Sequence, residues 1–238
     1  MIGHWLRPAA RSVKTGPCSA ARTHVGHVRT INEDRVLDAP AQGLWAVADG
    51  MGGHTRGDAA AGLVVGALAP LDRPDPATLR RALERADAAV RQKVPGSGAT
   101  VVALSLDGAC AHLAWAGDSR GYRLRDGVLT RLTRDHSVVQ ELVDAGVLAS
   151  ARAADHPQAH VVTQAIGAAD CLAVDSVSVD VAAGDRFLLC SDGLCHRVDD
   201  RAIAACLGRE PDAAADALVA EALARDGSDN VSVVVIAA

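Results

Sequence analysis

Aromatic side chains are scarce in this chain: three Trp, one Tyr and one Phe among 238 residues. With 49% hydrophobic residues a sizeable core is still possible, but it must be assembled from Val, Leu, Ala and Ile. Concentrated positive charge is missing too. Twenty-four basic residues face 29 acidic ones, for a net charge of -5. No dense Lys/Arg cluster offers the cationic face that a phosphate backbone requires, which excludes nucleic acid as a partner. The longest charge-free apolar run, Ala59 to Ala69, is about half the ~20 residues of a membrane span. Arg7, Arg11 and Lys14 interrupt any signal-peptide core near the start. Residues 1–32 hold no acid, a faint resemblance to a transit segment, but a loose Ala/Arg-rich arm is the preferred reading. Linkers, repeats and Cys-x-x-Cys pairs are absent. The six cysteines (Cys18, Cys110, Cys171, Cys190, Cys195, Cys206) therefore read as reduced core thiols. Cys190 and Cys195 bracket one acidic loop, where inert thiols are favoured over a redox switch. A cytoplasmic monomer is expected, with an irregular arm over 1–19 and one domain over 20–238.

What is present alternates between strand and helix signals. Strands are predicted at Ala20–Val25, Arg35–Asp38, Leu44–Ala48, Ala99–Leu106, Cys110–Ala116, Arg120–Arg125, Leu172–Val181, Arg186–Cys190 and Val231–Ile236. Asp107-Gly108 and Arg125-Asp126-Gly127 read as hairpin turns. Asp58–Ala69 reads as a buried helix. After it, Asp75 and Pro76 open a helix carrying Leu79, Ala82, Leu83, Ala86, Ala89 and Val90 on one face. Further helices are predicted at Ser137–Ala145, Asp199–Leu207 and Pro211–Arg225, with Leu148–Gln158 irregular. Consecutive strands and paired helices favour antiparallel sheets with helices outside.

The chemistry gathers at strand ends. Leu44–Ala48 runs into Asp49, followed by Gly50-Met51-Gly52-Gly53-His54. A charge at the end of a core strand is costly unless something pairs with it. Asp192 follows Phe187–Ser191, Asp118 follows Leu113–Gly117, Asp229 precedes Val231–Ile236, and Glu33-Asp34 precede Arg35. Five core strands with acids at an end predict an oxygen-rich cluster. Such a cluster stays ionised only with cations, and oxygen ligands suit Mg²⁺ or Mn²⁺ rather than zinc. Two such ions can activate a shared water and clamp a phosphoryl group.

These residues resemble the metal-dependent Ser/Thr protein phosphatases of the PPM (protein phosphatase 2C-like) family, bacterial type. The motifs stand in the family's order over about residues 20 to 238. They run Thr23–Asp34, Val47–His54, Gly98-Ala99-Thr100, Ala116–Arg120, Thr133–Ser137, Gly184–Leu194 and Gly227–Ser232. The resemblance implies an α+β fold, a four-layer α-β-β-α sandwich of two central antiparallel sheets flanked by helix pairs, with a flap at about 137–165. It implies that Asp49 bridges two catalytic ions, with the Gly50 carbonyl on one. Glu33 then completes the shell of the second ion, mostly through ordered water, Asp34 orients metal-bound water, and Asp192 and Asp229 hold the first ion. Asp118 with Asp192 matches a third-metal site, and Arg29 matches the residue gripping substrate phosphate. The implied cofactors are Mn²⁺ or Mg²⁺, and the implied partners are phosphoserine and phosphothreonine proteins with a cognate Ser/Thr kinase.

Met51 stands where eukaryotic members carry His, which leaves the general acid open between His54 and a metal-bound water. His136 is expected to cap a helix and pack the flap rather than touch metal. The chain ends after its last core strand, so no anchor or sensor domain is expected, as in the stand-alone phosphatases of type VI secretion loci. Against the enzyme reading stand a catalytically inactive module that binds phosphoproteins or regulates a kinase, and a regulator of a sigma-factor pathway. The retained acids and Arg29 favour the enzyme.

Overall fold

The computed structural model describes residues 16–52, 56–153, 155–169 and 171–238. Among the described residues, twelve strands and six α-helices follow one another: β1 (Cys18–His24), β2 (Arg35–Ala39), β3 (Leu44–Ala48), β4 (Gly50–Met51), α1 (Arg56–Leu68), α2 (Pro76–Lys93), β5 (Gly98–Ala99), β6 (Val101–Leu106), β7 (Cys110–Ala116), β8 (Arg120–Arg125), β9 (Val128–Arg131), α3 (Val138–Asp144), β10 (Asp175–Asp180), β11 (Arg186–Cys190), α4 (Asp192–Cys195), α5 (Asp200–Leu207), α6 (Pro211–Arg225) and β12 (Val231–Ala237).

The strands form two five-stranded sheets, ordered β1-β12-β11-β8-β9 and β10-β7-β6-β3-β2, with β4-β5 as a small separate pair. All pairings are antiparallel. Period-two alternation builds three apolar layers. Trp45 and Val47 of β3 point between the sheets, where they meet Val102, Leu104, Leu113, Phe187, Leu189, Val234 and Ile236. Leu44, Ala46 and Ala48 point the other way, onto α1 and α2. Leu188, Val233 and Val235 face α5 and α6. The result is the expected four-layer sandwich, with Ala and Val on the helix-facing sides so that the layers approach closely. Asp75 caps α2 by accepting a hydrogen bond from the Thr78 amide at 2.6 Å.

Several boundaries differ from expectation. β1 starts at Cys18, inside the span read as an arm, because Cys18 and Ser19 pair with Ala237 and Ile236 of β12. The single strand expected at Ala99–Leu106 is split at Thr100, whose backbone pairs with Asp49 (Thr100 N to Asp49 O 2.8 Å, Asp49 N to Thr100 O 3.3 Å). β9 went unforeseen although its turn was read: Asp126 and Gly127 carry φ of 51° and 78°, the left-handed pair that closes β8 onto β9. β10 begins at Asp175 rather than Leu172. α4, one turn long, has no periodicity to reveal it.

Candidate active site

One cleft, of about 970 Å³, receives the strand-end acids. Glu33, Asp49, Asp118, Asp192 and Asp229 line it together with Gly50 and Arg29. Of the expected residues, Asp34 lies buried beside it, with 1% of its surface exposed, and His54 falls outside the described residues.

Each carboxylate is placed by local backbone demands. Asp49 sits where β3 passes into β4, fixed by its two backbone bonds to Thr100. A Cβ on Gly50 would stand 2.2 Å from the Gly57 carbonyl oxygen, so only glycine lets the start of α1 come this close. That approach brings the Gly57 amide to Glu33 Oε1 at 3.2 Å. Asn230 then ties down the loop carrying Arg29 and Glu33. Its Oδ1 accepts from the Glu33 amide at 2.8 Å, while its Nδ2 donates to the Val25 and Ile31 carbonyls at 2.9 and 3.0 Å. Asp192 opens α4, and a Cβ on the next residue, Gly193, would lie 2.0 Å from the Asn230 carbonyl oxygen. Asp118 follows Gly117, whose φ of 113° favours glycine.

The electrostatics report crowding. Burial, then Asp34, Asp192, Asp118 and Asp229, push the Asp49 carboxyl well above its usual range. Burial followed by Asp192 and Asp135 raises Asp118 to about 8. Burial raises Asp34 to about 7, even though hydrogen bonds from Ser232 and Ser191 oppose the shift. Asp34 Oδ2 accepts from Ser191 Oγ at 2.9 Å, whereas its Oδ1 is buried with no protein partner. Five acids around one cleft, an orphaned carboxylate oxygen and an all-oxygen donor set fit hard divalent cations. Arg29 reaches into the group, its Nη2 donating to Asp229 Oδ2 at 2.9 Å. The Arg29 side chain remains 54% exposed, so it is free to reach a ligand in the cleft.

A family model for protein phosphatase 2C matches residues 21–142. The chain belongs to the protein phosphatase 2C family. A serine/threonine protein phosphatase of Mycobacterium tuberculosis, PstP, is 42% identical over 229 residues, covering 91% of this chain and 44% of that protein. The chain thus spans about half the length of this relative. Among solved structures, PppA, described as a key regulatory component of the type VI secretion system in Pseudomonas aeruginosa, superposes with a TM-score of 0.86 at 43% identity, covering 94% of this chain and 98% of PppA. The catalytic domain of PstP in complex with two manganese ions gives 0.82 at 37% identity, covering 93% and 97%.

In this phosphatase-family chain the segment after β9 folds over one side of the cleft. Ser137, not His136 as expected, caps α3, its Oγ accepting from the Gln140 amide at 3.3 Å. His136 is committed elsewhere. Its ring stacks on Trp115 with centroids 6.3 Å apart, its Nδ1 accepts from the Gly117 amide at 3.3 Å, and its Nε2 lies 3.3 Å from Asp175. It thereby steadies the turn that carries Asp118. The segment's stem is pinned by Val138 N to Val161 O (3.0 Å), Thr163 N to His136 O (2.8 Å) and Ile166 N to Ala99 O (2.8 Å). Cys190 and Cys195 are free and buried, and burial pushes the Cys195 thiol up, as befits inert thiols.

Sequence reasoning missed the supporting shell. Ser191 Oγ links the Ser232 amide to Asp34, and Thr100 Oγ1 pairs with Ser119 Oγ at 2.6 Å. Asn230 was visible beside Asp229 but carried no sign of its three long-range bonds. His160 and Arg197 also line the cleft, and His196 lines with them the neighbouring cavity of about 440 Å³. For His196 there was a signal, since it stands four residues after Asp192; His160 lies in an irregular stretch and offered none.

Proposed function

We propose that this chain is a Mn²⁺- or Mg²⁺-dependent hydrolase of phosphoserine and phosphothreonine in proteins. The observation that carries this reading is the convergence of five strand-end carboxylates and Arg29 on one cleft. Membership of the family and the two manganese ions of the PstP catalytic domain support it. In this reading Asp49 and the Gly50 carbonyl would hold two ions, with Asp192 and Asp229 serving one and Glu33 the other. Asp118 and Asp192 together would hold a third. When bound, the ions supply an activated water and neutralise the charge that develops on the phosphoryl oxygens.

The chain's own groups do the rest. Arg29 leaves Asp229 to grip the phosphate in the forked geometry that guanidinium favours. Asp34, held by Ser191 on one oxygen, has the other free to orient a water molecule. His54 remains the candidate proton donor to the departing Ser or Thr oxygen, in competition with solvent water. Reversal of a partner Ser/Thr kinase, action in the cytoplasm and a monomeric state complete the proposal. So does a regulatory role like that of PppA in type VI secretion.

The test is phosphate release from a phosphothreonine peptide with Mn²⁺, Mg²⁺ or EDTA, run beside Asp229→Asn. Release that needs metal and vanishes in the variant supports the reading. A folded protein that releases no phosphate with any metal overturns it.

A further inference from the structure

At the edge of the carboxylate cleft, the described residues include one group with nitrogen donors. His160, Asp192 and His196 each present a ligand atom within 4.8 Å of the other two. Asp192 and His196 open and close the single turn of α4, and His196 Nδ1 lies 3.6 Å from Asp192 Oδ2. His160 comes from the segment that folds over the cleft. Its ring centre is 5.6 Å from that of His196, with the planes tilted by 54°. The two imidazoles therefore meet obliquely rather than stack face to face, and both border the cavity of about 440 Å³ beneath α3.

The donor chemistry differs from that of the neighbouring cluster. Two imidazoles and a carboxylate suit zinc and other late first-row ions, whereas an all-oxygen set suits Mg²⁺ and Mn²⁺. Tetrahedral zinc with bonds of about 2.0–2.1 Å sets its ligand atoms roughly 3.3 Å apart. The Asp192–His196 pair is already near that spacing, so only His160 has to close in. His160 is exposed, on an irregular stretch, which makes the remaining approach inexpensive.

We propose that His160, Asp192 and His196 form a zinc site that fastens the segment over the cleft to α4. Three protein ligands leave a fourth position open to water or an anion. Zinc there also draws on Asp192. If the phosphatase reading holds, zinc then competes with the catalytic ions for that carboxylate and acts as an inhibitor. The binding itself does not depend on that reading.

The full chain, held in excess Mg²⁺ to occupy oxygen-only sites, would be titrated with Zn²⁺ by calorimetry, beside His160→Ala and His196→Asn. The expected result is a wild-type zinc site weakened at least tenfold by each substitution. Zinc should also slow trypsin cleavage after the exposed Arg152 in the wild type and not in His160→Ala. Unchanged zinc affinity in both variants would overturn the proposal and assign the zinc to the carboxylates alone. Should half-buried His196 not tolerate replacement, exposed His160 decides the matter. A chain inert towards phosphopeptides that still binds zinc through these histidines would fail the phosphatase reading and leave this site standing.

Discussion

Removing divalent metal should make the stability of this protein fall as pH rises, and Asp34 sets the size of the effect. Its carboxyl is raised from 3.8 to about 7 by burial. The folded state therefore binds a proton more tightly than the unfolded chain does between those values. Stability from this group is complete below about pH 4 and is lost as pH climbs through 7. At about 1.36 kcal/mol per pH unit of difference, the whole loss is about 4 kcal/mol, of which about 3 kcal/mol falls between pH 5 and 8. Asp49 and Asp118 are shifted in the same direction, and the group shares its protons, so their losses do not simply add. For a chain of this length, about 3 kcal/mol lowers Tm by roughly 6–12 °C. The assay is thermal unfolding in EDTA from pH 5 to 8, repeated with saturating Mn²⁺ and with Asp34→Asn. Metal should flatten the profile, because ions that bind only the folded carboxylates offset their repulsion. The Asp34→Asn variant, neutral at every pH, should recover about 4 kcal/mol at pH 8 in EDTA. A Tm that holds or rises from pH 5 to 8 in the metal-free wild type would refute the argument.

How much of this was legible beforehand follows from the range over which each signal acts. The apolar run Leu44–Ala48 is a local signal, and it marked a strand that is buried along its whole length. The acids at strand ends were legible for the same reason: a carboxylate after an apolar run marks its place whatever the strand pairs with. The split at Thr100 was not, because it answers to Asp49 across the sheet. The bonds that hold the acids bridge great separations. Ser191 reaches Asp34 across 157 positions and Asn230 reaches Glu33 across 197, and no pattern within either segment encodes such a contact. His160 joins the site only because its irregular segment folds back over the cleft. A segment without periodicity gives no hint of what it covers.

Three further perturbations follow from the same geometry. Arg29→Ala should raise KM for a phosphothreonine peptide about tenfold or more while sparing the fold; an unchanged KM would remove Arg29 from the phosphate site. Gly193→Ala forces a Cβ to within 2.0 Å of the Asn230 carbonyl oxygen, which is backbone and cannot swing away. α4 must then shift with Asp192, so metal affinity should fall more than stability, and retained affinity would show that the strand end yields instead. Asp185→Asn tests the frame far from the cleft. Asp185 is fully buried, Arg125 meets both its oxygens at 2.7 and 2.6 Å, and the Ala182 amide adds a bond at 2.9 Å. Burial alone would raise its pKa, but Arg125 and that amide outweigh it and hold the carboxyl below its usual range. Its contribution is thus present above about pH 4 and lost as pH falls through the depressed value. Arg125 is partly exposed and keeps Asp180 as a second partner, which places the cost near 2 kcal/mol rather than the 3–5 of a wholly buried pair. That corresponds to about 4–8 °C in Tm at neutral pH, and the gap between variant and wild type should shrink as pH falls through the depressed value. A gap that persists undiminished in acid would mean that the carboxylate charge was not what stabilised the pair.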